Sequence, residues 1–227
     1  TPPLADDGAR YTPDRLLGAG GMGEVHGVQD TQIRRAIARK VMKPGGAPAR
    51  FLREARITAR LQHPGIVPVH EIGWTEGSED RRPYYTMPIV QGETLGHHIQ
   101  RVHALSTDGR WGFTDDGWSL RRLIEILRVI CEAVGYAHSL GVLHRDLKPE
   151  NVMIGAFGEV QVMDWGLARL VDEADEDTEG TEGTISGAFD EAGGTRAGQA
   201  LGTPGYMAPE QARGEQERLG PWSDVYS

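Results

Sequence analysis

Positive charge in excess, disulfide-forming cysteine and long apolar runs are all missing from this sequence. The 227 residues hold 33 acidic against 24 Lys and Arg side chains, a formal net charge of -9. That balance argues against a nucleic-acid-binding surface, and no nucleic-acid partner is expected. Cys131 is the single cysteine, so no internal disulfide can form, which fits a reducing compartment and a cytoplasmic location. No run of about 18 apolar residues exists to span a membrane. The first ten residues are polar and proline-containing, unlike a signal peptide, and read as a disordered leader or linker. No internal repeat is visible.

What is present suits one soluble domain of ordinary composition, 38% hydrophobic and 25% charged. The acidic residues are unevenly placed. Asp172, Glu173, Asp175, Glu176, Asp177, Glu179 and Glu182 crowd one Gly/Thr-rich stretch, which repels itself and reads as solvated. Residues 11–43 read as three strands, and 48–61 as a helix through Phe51, Leu52, Ala55, Thr58 and Ala59. Ile66 to Ile72 and Tyr84 to Val90 are two further strands. A short helix follows over 94–101, then an inserted loop over 102–117. The clearest helix spans 119–140, with Leu120, Leu123, Ile124, Leu127, Ile130, Val134 and Ala137 at three- and four-residue intervals and Gly141 at its end. Val152–Ile154 and Val160–Val162 form a hairpin turning at Phe157-Gly158. Strands with one helix come first and mostly helix follows, a segregated α+β order.

Three short segments carry chemistry. Gly18-Ala19-Gly20-Gly21-Met22-Gly23 lets backbone N–H groups approach phosphate oxygens. An isolated match is equally a plain glycine-rich hairpin. A dinucleotide fold would need a helix at the third glycine, and strand-like Glu24-Val25-His26 follows instead. In Ile37-Ala38-Arg39-Lys40-Val41, Ala38 and Lys40 share a strand face. A lone lysine there would be a surface residue, but Glu54 on the next helix supplies an ion-pair partner. The third segment is His144-Arg145-Asp146-Leu147-Lys148-Pro149-Glu150-Asn151, directly after the long helix.

With this segment the chain resembles the eukaryotic-like protein serine/threonine kinase family, in its bacterial style. Asp164-Trp165-Gly166, Gly202-Thr203-Pro204-Gly205-Tyr206-Met207-Ala208-Pro209-Glu210 and Ser223-Asp224-Val225-Tyr226 continue the likeness in the family's order. The resemblance implies a two-lobed α+β fold. Residues 11–90 would form the mostly antiparallel β N-lobe. Residues 91–227 would form a mainly helical, incomplete C-lobe, with an acidic activation loop over 164–210. It also implies ATP and Mg²⁺ (or Mn²⁺) as cofactors. Leu17, Gly18, Gly20, Gly23, Val25, Ala38, Met87, Pro88 and Val90 would surround the nucleotide. Lys40, paired with Glu54, would contact the α- and β-phosphates, and Asn151 and Asp164 would hold the metal. Asp146 would orient the acceptor hydroxyl and Lys148 would sit near the γ-phosphate, the serine/threonine pattern. Arg145 would pair with a phosphorylated loop residue. Thr195 is the first candidate, ahead of Thr178, Thr181, Thr184 and Ser186, and Thr203 would shape the acceptor site.

Three positions depart from the family pattern: Trp165 for Phe, Pro88 for Glu, and Arg39 for an aliphatic residue. A pseudokinase or nucleotide-binding scaffold would be expected to lack Lys40, Asp146 or Asp164, and all three are present. The expected partners are protein substrates with Ser/Thr acceptors, and a second copy for trans-autophosphorylation. A family domain continues beyond residue 227, so the isolated chain is expected to be weakly active or inactive, with any membrane anchor outside it. His97-His98 reads as a polar helix face rather than a metal site, Trp111 and Trp118 as packing residues of the insert, and Cys131 as an inert core thiol.

Overall fold

The computed structural model describes residues 10–75, 81–108, 110–170 and 202–227. It divides into two compact units, Thr1–Gln62 with Val67–Val90 and His63–Ile66 with Gln91–Ser227.

The first unit is one antiparallel sheet and one helix. Strands β1 (Tyr11–Ala19), β2 (Gly23–Asp30), β3 (Arg35–Met42), β4 (Glu71–Trp74) and β5 (Pro83–Met87) are ordered β1-β2-β3-β5-β4. Helix α1 (Pro48–Arg60) follows β3. Period-two alternation gives the sheet two distinct faces. Ile37 and Val41 pack with Tyr11, Val28 and Tyr84 on one. Met42 packs with Tyr85, Phe51 and Ala55 on the other, beneath α1. Arg39 falls on the face opposite Lys40, its guanidinium 5.9 and 5.3 Å from the ring centres of Tyr11 and Tyr84. An aliphatic side chain is thus replaced by a cation lying over two aromatic rings. Pro48 starts α1, where its missing N–H costs nothing, and Phe51, Glu54, Ala55, Ile57 and Thr58 form its buried stripe.

The second unit holds β6 (Glu93–Thr94), α2 (Leu95–Ala104), α3 (Leu120–Ser139), β7 (Val142–Leu143), β8 (Val152–Ile154), β9 (Val160–Val162), β10 (Arg169–Leu170), α4 (Pro209–Ala212) and α5 (Pro221–Tyr226). Two small sheets form, β6-β8-β9 and β10-β7. Side chains of Thr94 and Ser119 accept from the N–H groups of His97 and Arg122 and cap α2 and α3. Gly141, at φ 72°, ends α3 with its N–H on His138 O at 2.9 Å.

Several expectations need correction. The strand expected over Ile66 to Ile72 starts only at Glu71, and Ile66 makes a single bridge to Val162. Pro68 lies inside that run and cannot donate to a ladder. The insert begins later than expected, because residues 102–104 complete α2. Ser106 Oγ donates to Val102 O and accepts from Gly112 N, folding the loop back on the helix. Helix α3 buries Ile126, Ile130, Ala133, Val134 and Ala137. The neighbouring stripe of Ile124, Leu127 and Cys131 is exposed, so Cys131 is no core thiol. One residue step turns the helix by about 100°, and apolar residues on both stripes blurred the choice. His98 is buried rather than on a polar face. Its ring stacks 3.5 Å from that of Trp118. Trp118 is buried as expected, whereas Trp111 stays 44% exposed, edge-on to His103.

The glycine loop separates two kinds of glycine. A Cβ on Gly23 would meet Val41 O at 2.7 Å, whereas one on Gly18 would meet nothing within 4 Å. Gly23→Ala should therefore cost about 1–3 kcal/mol through overpacking against backbone. Gly18→Ala should stay within about 0.5 kcal/mol of the parent. Urea denaturation followed by circular dichroism checks both; equal midpoints for the two variants would contradict this.

Candidate active site

Within the first unit, the site residues gather around Lys40. Its Nζ donates to Glu54 Oε1 at 2.6 Å, and the hydroxyl of Tyr85 donates to the same oxygen at 2.8 Å. Lys40 and Glu54 are 9% and 3% exposed, so this ion pair is shielded from water. Burial pushes the Tyr85 phenol well above its usual range; Glu54 acts in the same direction and Lys40 opposes it. Glu54 Oε2 is buried without a hydrogen-bond partner. In the sheet register, Lys40 stands between Val25 on β2 and Tyr85 on β5, and Ala38 stands opposite Met87. The β1–β2 turn closes through Gly20 N on Gly23 O at 2.9 Å. Leu17 and Gly18 end β1 beside it. Pro88 and Val90 continue from Met87, all partly buried.

The second unit gathers Asp146, Lys148, Asn151 and Thr203. Asp146 Oδ1 accepts from the N–H and the hydroxyl of Thr203, each at 2.8 Å. Lys148 Nζ donates to Thr203 Oγ1 at 2.6 Å and lies 3.0 Å from Asp146 Oδ2. Asn151 Nδ2 donates to Asp146 O at 2.8 Å and to Oδ2 at 3.2 Å. Because the amide nitrogen is turned to Asp146, Asn151 Oδ1 is the end left as acceptor. Asn151 O in turn accepts from Met163 N at 2.8 Å, which holds the residue before Asp164 to the loop that carries Asp146.

Asp164 is exposed and adopts a left-handed backbone, φ 57°. Behind it Trp165 is buried, its indole N–H on Val162 O at 3.3 Å and its ring 4.6 Å from His144. His144 Nδ1 accepts from Asp146 N at 3.3 Å, which makes Nε2 the donor toward Met163 O at 3.0 Å. Trp165 in place of Phe therefore keeps the apolar contact and adds one hydrogen bond.

Arg145 also has a left-handed backbone, φ 65°. Such a conformation costs a bulky residue roughly 1–2 kcal/mol and persists only where its neighbours hold it. Here Asp224 accepts from the N–H groups of His144 and Arg145 and from His138 Nε2, all at 2.8 Å. Gln211 Nε2 donates to Arg145 O. Burial alone would raise the Asp224 carboxyl; the His138 hydrogen bond, the nearby His144 and the two N–H groups outweigh it and hold the group below the usual carboxylate range. The Arg145 side chain donates to Leu167 O and to Gln216 Oε1.

A family model described as a protein kinase domain matches residues 11–227. The chain belongs to the protein kinase domain family. The kinase domain is also similar to curated serine/threonine-protein kinases named PknD. The one from Protochlamydia amoebophila is 40% identical over 229 residues, covering 96% of this chain and 22% of the relative. Those from Chlamydia muridarum and Chlamydia trachomatis are 39% and 40% identical, covering 96% of this chain and 23% of each relative. The chain thus spans less than a quarter of the length of these kinases.

Lys40 and Glu54 come together in the first unit, and Asp146, Lys148, Asn151 and Thr203 in the second. Tyr85, His138 and Gln211 were not singled out from the sequence. Tyr85 carries no motif, and its only signal is that it faces Lys40 across the β3–β5 register. Thr195, Thr178, Thr181, Thr184 and Ser186 lie outside the described residues. Among those described, no helix is long and apolar enough to cross a membrane.

Asp224→Ala should unpair His138 and two buried N–H groups and cost about 3 kcal/mol or more. Asp224→Asn keeps the shape and tests the charge. The folded Asp224 carboxyl sits below its unfolded value, so its contribution is complete above about pH 4 and is lost as pH falls through the folded value. The stability gap between parent and Asp224→Asn, measured by denaturation from pH 7 downward, should narrow below about pH 4. A gap independent of pH would contradict the assignment.

Proposed function

We propose that this chain is the catalytic segment of a bacterial protein serine/threonine kinase, transferring the γ-phosphoryl group of ATP to Ser or Thr hydroxyls of protein substrates. The observation that carries this reading is the closed set of bonds among Asp146, Lys148, Asn151 and Thr203. Phosphoryl transfer asks little covalent chemistry of a protein and much positioning and charge neutralisation.

In the first unit, Gly18 and Gly20 leave open space where a side chain would otherwise intrude, the condition for backbone N–H groups to approach phosphate oxygens. Gly23 keeps the following strand flush with β3. Lys40, with its direction set by Glu54 and Tyr85, meets the α- and β-phosphates. Leu17, Val25, Ala38 and Met87 supply apolar contacts to the adenine. The carbonyl of Pro88 and the N–H of Val90 supply its hydrogen bonds; proline lacks only the donor.

In the second unit, Asp146 accepts the proton of the acceptor hydroxyl as its oxygen bonds to the γ-phosphorus and the bond to the β-phosphate oxygen breaks, releasing ADP. Lys148 neutralises charge on the transferred group, and Thr203 holds Asp146 and Lys148 at a fixed spacing. Asn151 Oδ1 and the Asp164 carboxylate fit a hard divalent cation such as Mg²⁺, which neutralises phosphate charge when bound. Among the described residues no group of three or more His, Cys, Asp or Glu is placed to hold a metal. Mg²⁺ characteristically takes one or two protein ligands and completes its shell with phosphates and water. Arg145 is the docking point for a phosphorylated loop residue, Thr195 first among them, and a second copy of the chain is the acceptor in trans.

The test is phosphosite mapping by mass spectrometry after incubation with Mg-ATP. Phosphate should appear on Ser and Thr and not on Tyr. Asp146→Asn should lower incorporation by about 10²- to 10⁴-fold without altering the fold. A folded, ATP-binding chain that labels equally well with Asp146→Asn, or a longer chain carrying the rest of the kinase domain that incorporates no phosphate, would exclude the proposal.

A further inference from the structure

The first unit buries one polar group that the kinase motifs do not call for. Tyr85 lies in the middle of β5 and is 5% exposed. Its ring is tilted against that of Phe51, with centres 5.4 Å apart, in a cluster with Met42 and Ala55. A side chain without a hydroxyl would satisfy that apolar packing. A hydroxyl buried there costs free energy unless it is bonded. Its bond, at 2.8 Å, goes to Glu54 Oε1, the oxygen that also receives Lys40 Nζ at 2.6 Å. The ammonium lies 5.6 Å from the centre of the Tyr85 ring. Tyr85 therefore touches both members of the ion pair, the carboxylate through its hydroxyl and the lysine through its ring.

The donors fall unevenly on Glu54. Oε1 takes two, and Oε2, also buried, takes none. The last torsion of a glutamate is broad and weakly restrained. With a lysine as its sole donor, the carboxylate can turn and offer either oxygen, or both. A second donor fixed on β5 removes that freedom, because turning away would leave the buried hydroxyl unpaired. The carboxylate is then held in one plane, and the lysine that follows it is held at one place. Burial keeps the Tyr85 phenol above its usual range, so at neutral pH the hydroxyl stays protonated and remains a donor.

We infer that Tyr85 is a positioning residue for phosphoryl transfer: by holding the Glu54 carboxylate in one orientation, its hydroxyl fixes where the Lys40 ammonium meets the phosphates. Its part in transfer rests on the kinase reading above, whereas the bonds that place Lys40 lie within the first unit alone. As the bond to the γ-phosphorus breaks, negative charge grows on the β-phosphate that Lys40 faces. That charge is greatest in the transition state, so a displaced lysine weakens the transfer step more than nucleotide binding. A misplacement of about 1 Å can cost as much as about 10²-fold in rate.

The chain has three lysines, Lys40, Lys43 and Lys148. Isotopic labelling of lysine nitrogen therefore gives a short set of ammonium signals by NMR, and Lys40→Arg identifies the one from residue 40. Tyr85→Phe removes one oxygen and leaves the ring against Phe51. Tyr85→Met is a second variant without a donor, and circular dichroism checks the fold of both. In each, exchange of the Lys40 ammonium protons with water should rise by about tenfold. In a longer chain carrying the rest of the kinase domain, Tyr85→Phe should lower kcat by about tenfold and change KM for ATP by less than about threefold. In a Glu54→Gln background the same substitution should change kcat by less than about twofold, since the hydroxyl acts through Glu54. An unaltered Lys40 signal in both folded variants would overturn the inference, even if urea stability falls. So would a kcat loss that persists undiminished in the Glu54→Gln background. A longer chain with no phosphoryl transfer at all would sink the kinase reading instead, and the Lys40 signal would still decide the positioning.

Discussion

One buried carboxylate sets the geometry of the loop that carries Asp146. Asp224 accepts from His138, from the N–H of His144 and from the N–H of Arg145. These three donors join the end of α3, the loop that follows it and the start of α5. The loop could not hold its shape alone. Arg145 occupies a left-handed conformation that a large side chain resists, and a carboxylate pinned by three donors offsets that strain. With Arg145 fixed, Asp146 N meets His144 Nδ1, and His144 meets Trp165 and Met163 O. Asp146 and the residue before Asp164 therefore hang from one network rooted in Asp224.

The first unit solves a related problem with fewer parts. A lysine on a strand interior would ordinarily swing toward water. Glu54 on α1 and Tyr85 on β5 restrain Lys40 from two directions through one shared oxygen. The alternation of β3 makes this possible. It sends Ala38, Lys40 and Met42 to the side under α1, and Arg39 to the side where Tyr11 and Tyr84 receive it. One strand thus carries two cations on opposite faces without mutual repulsion.

Much of this was legible in the sequence because the chemistry is contiguous. His144 to Asn151 spans eight residues, and the hydrophobic pattern of the preceding helix announces where the loop begins. The glycine turn and the strand around Lys40 are local in the same sense. What stayed hidden depends on partners far apart in the chain. Tyr85 is one aromatic residue in a strand until its register with Lys40 is known. His98 sits in a polar-looking helix and is buried only because Trp118 folds back over it. Helix α3 carries apolar residues on two adjoining stripes, and periodicity cannot say which of them meets the core. The segment after Ile66 looked like a strand by composition, and its proline outweighed its β-branched residues.

The distance along the chain between the catalytic loop and its anchor has a consequence for biosynthesis. His144 N bonds to a residue 80 positions later. A ribosome adding about 5–20 residues per second makes the loop roughly 4–16 s before it makes the aspartate that shapes it. During that interval the nascent polypeptide carries Asp146, Lys148 and Asn151 without the carboxylate that shapes their loop. Until residue 224 has emerged, the N–H groups of His144 and Arg145 lack the acceptor that the folded chain gives them.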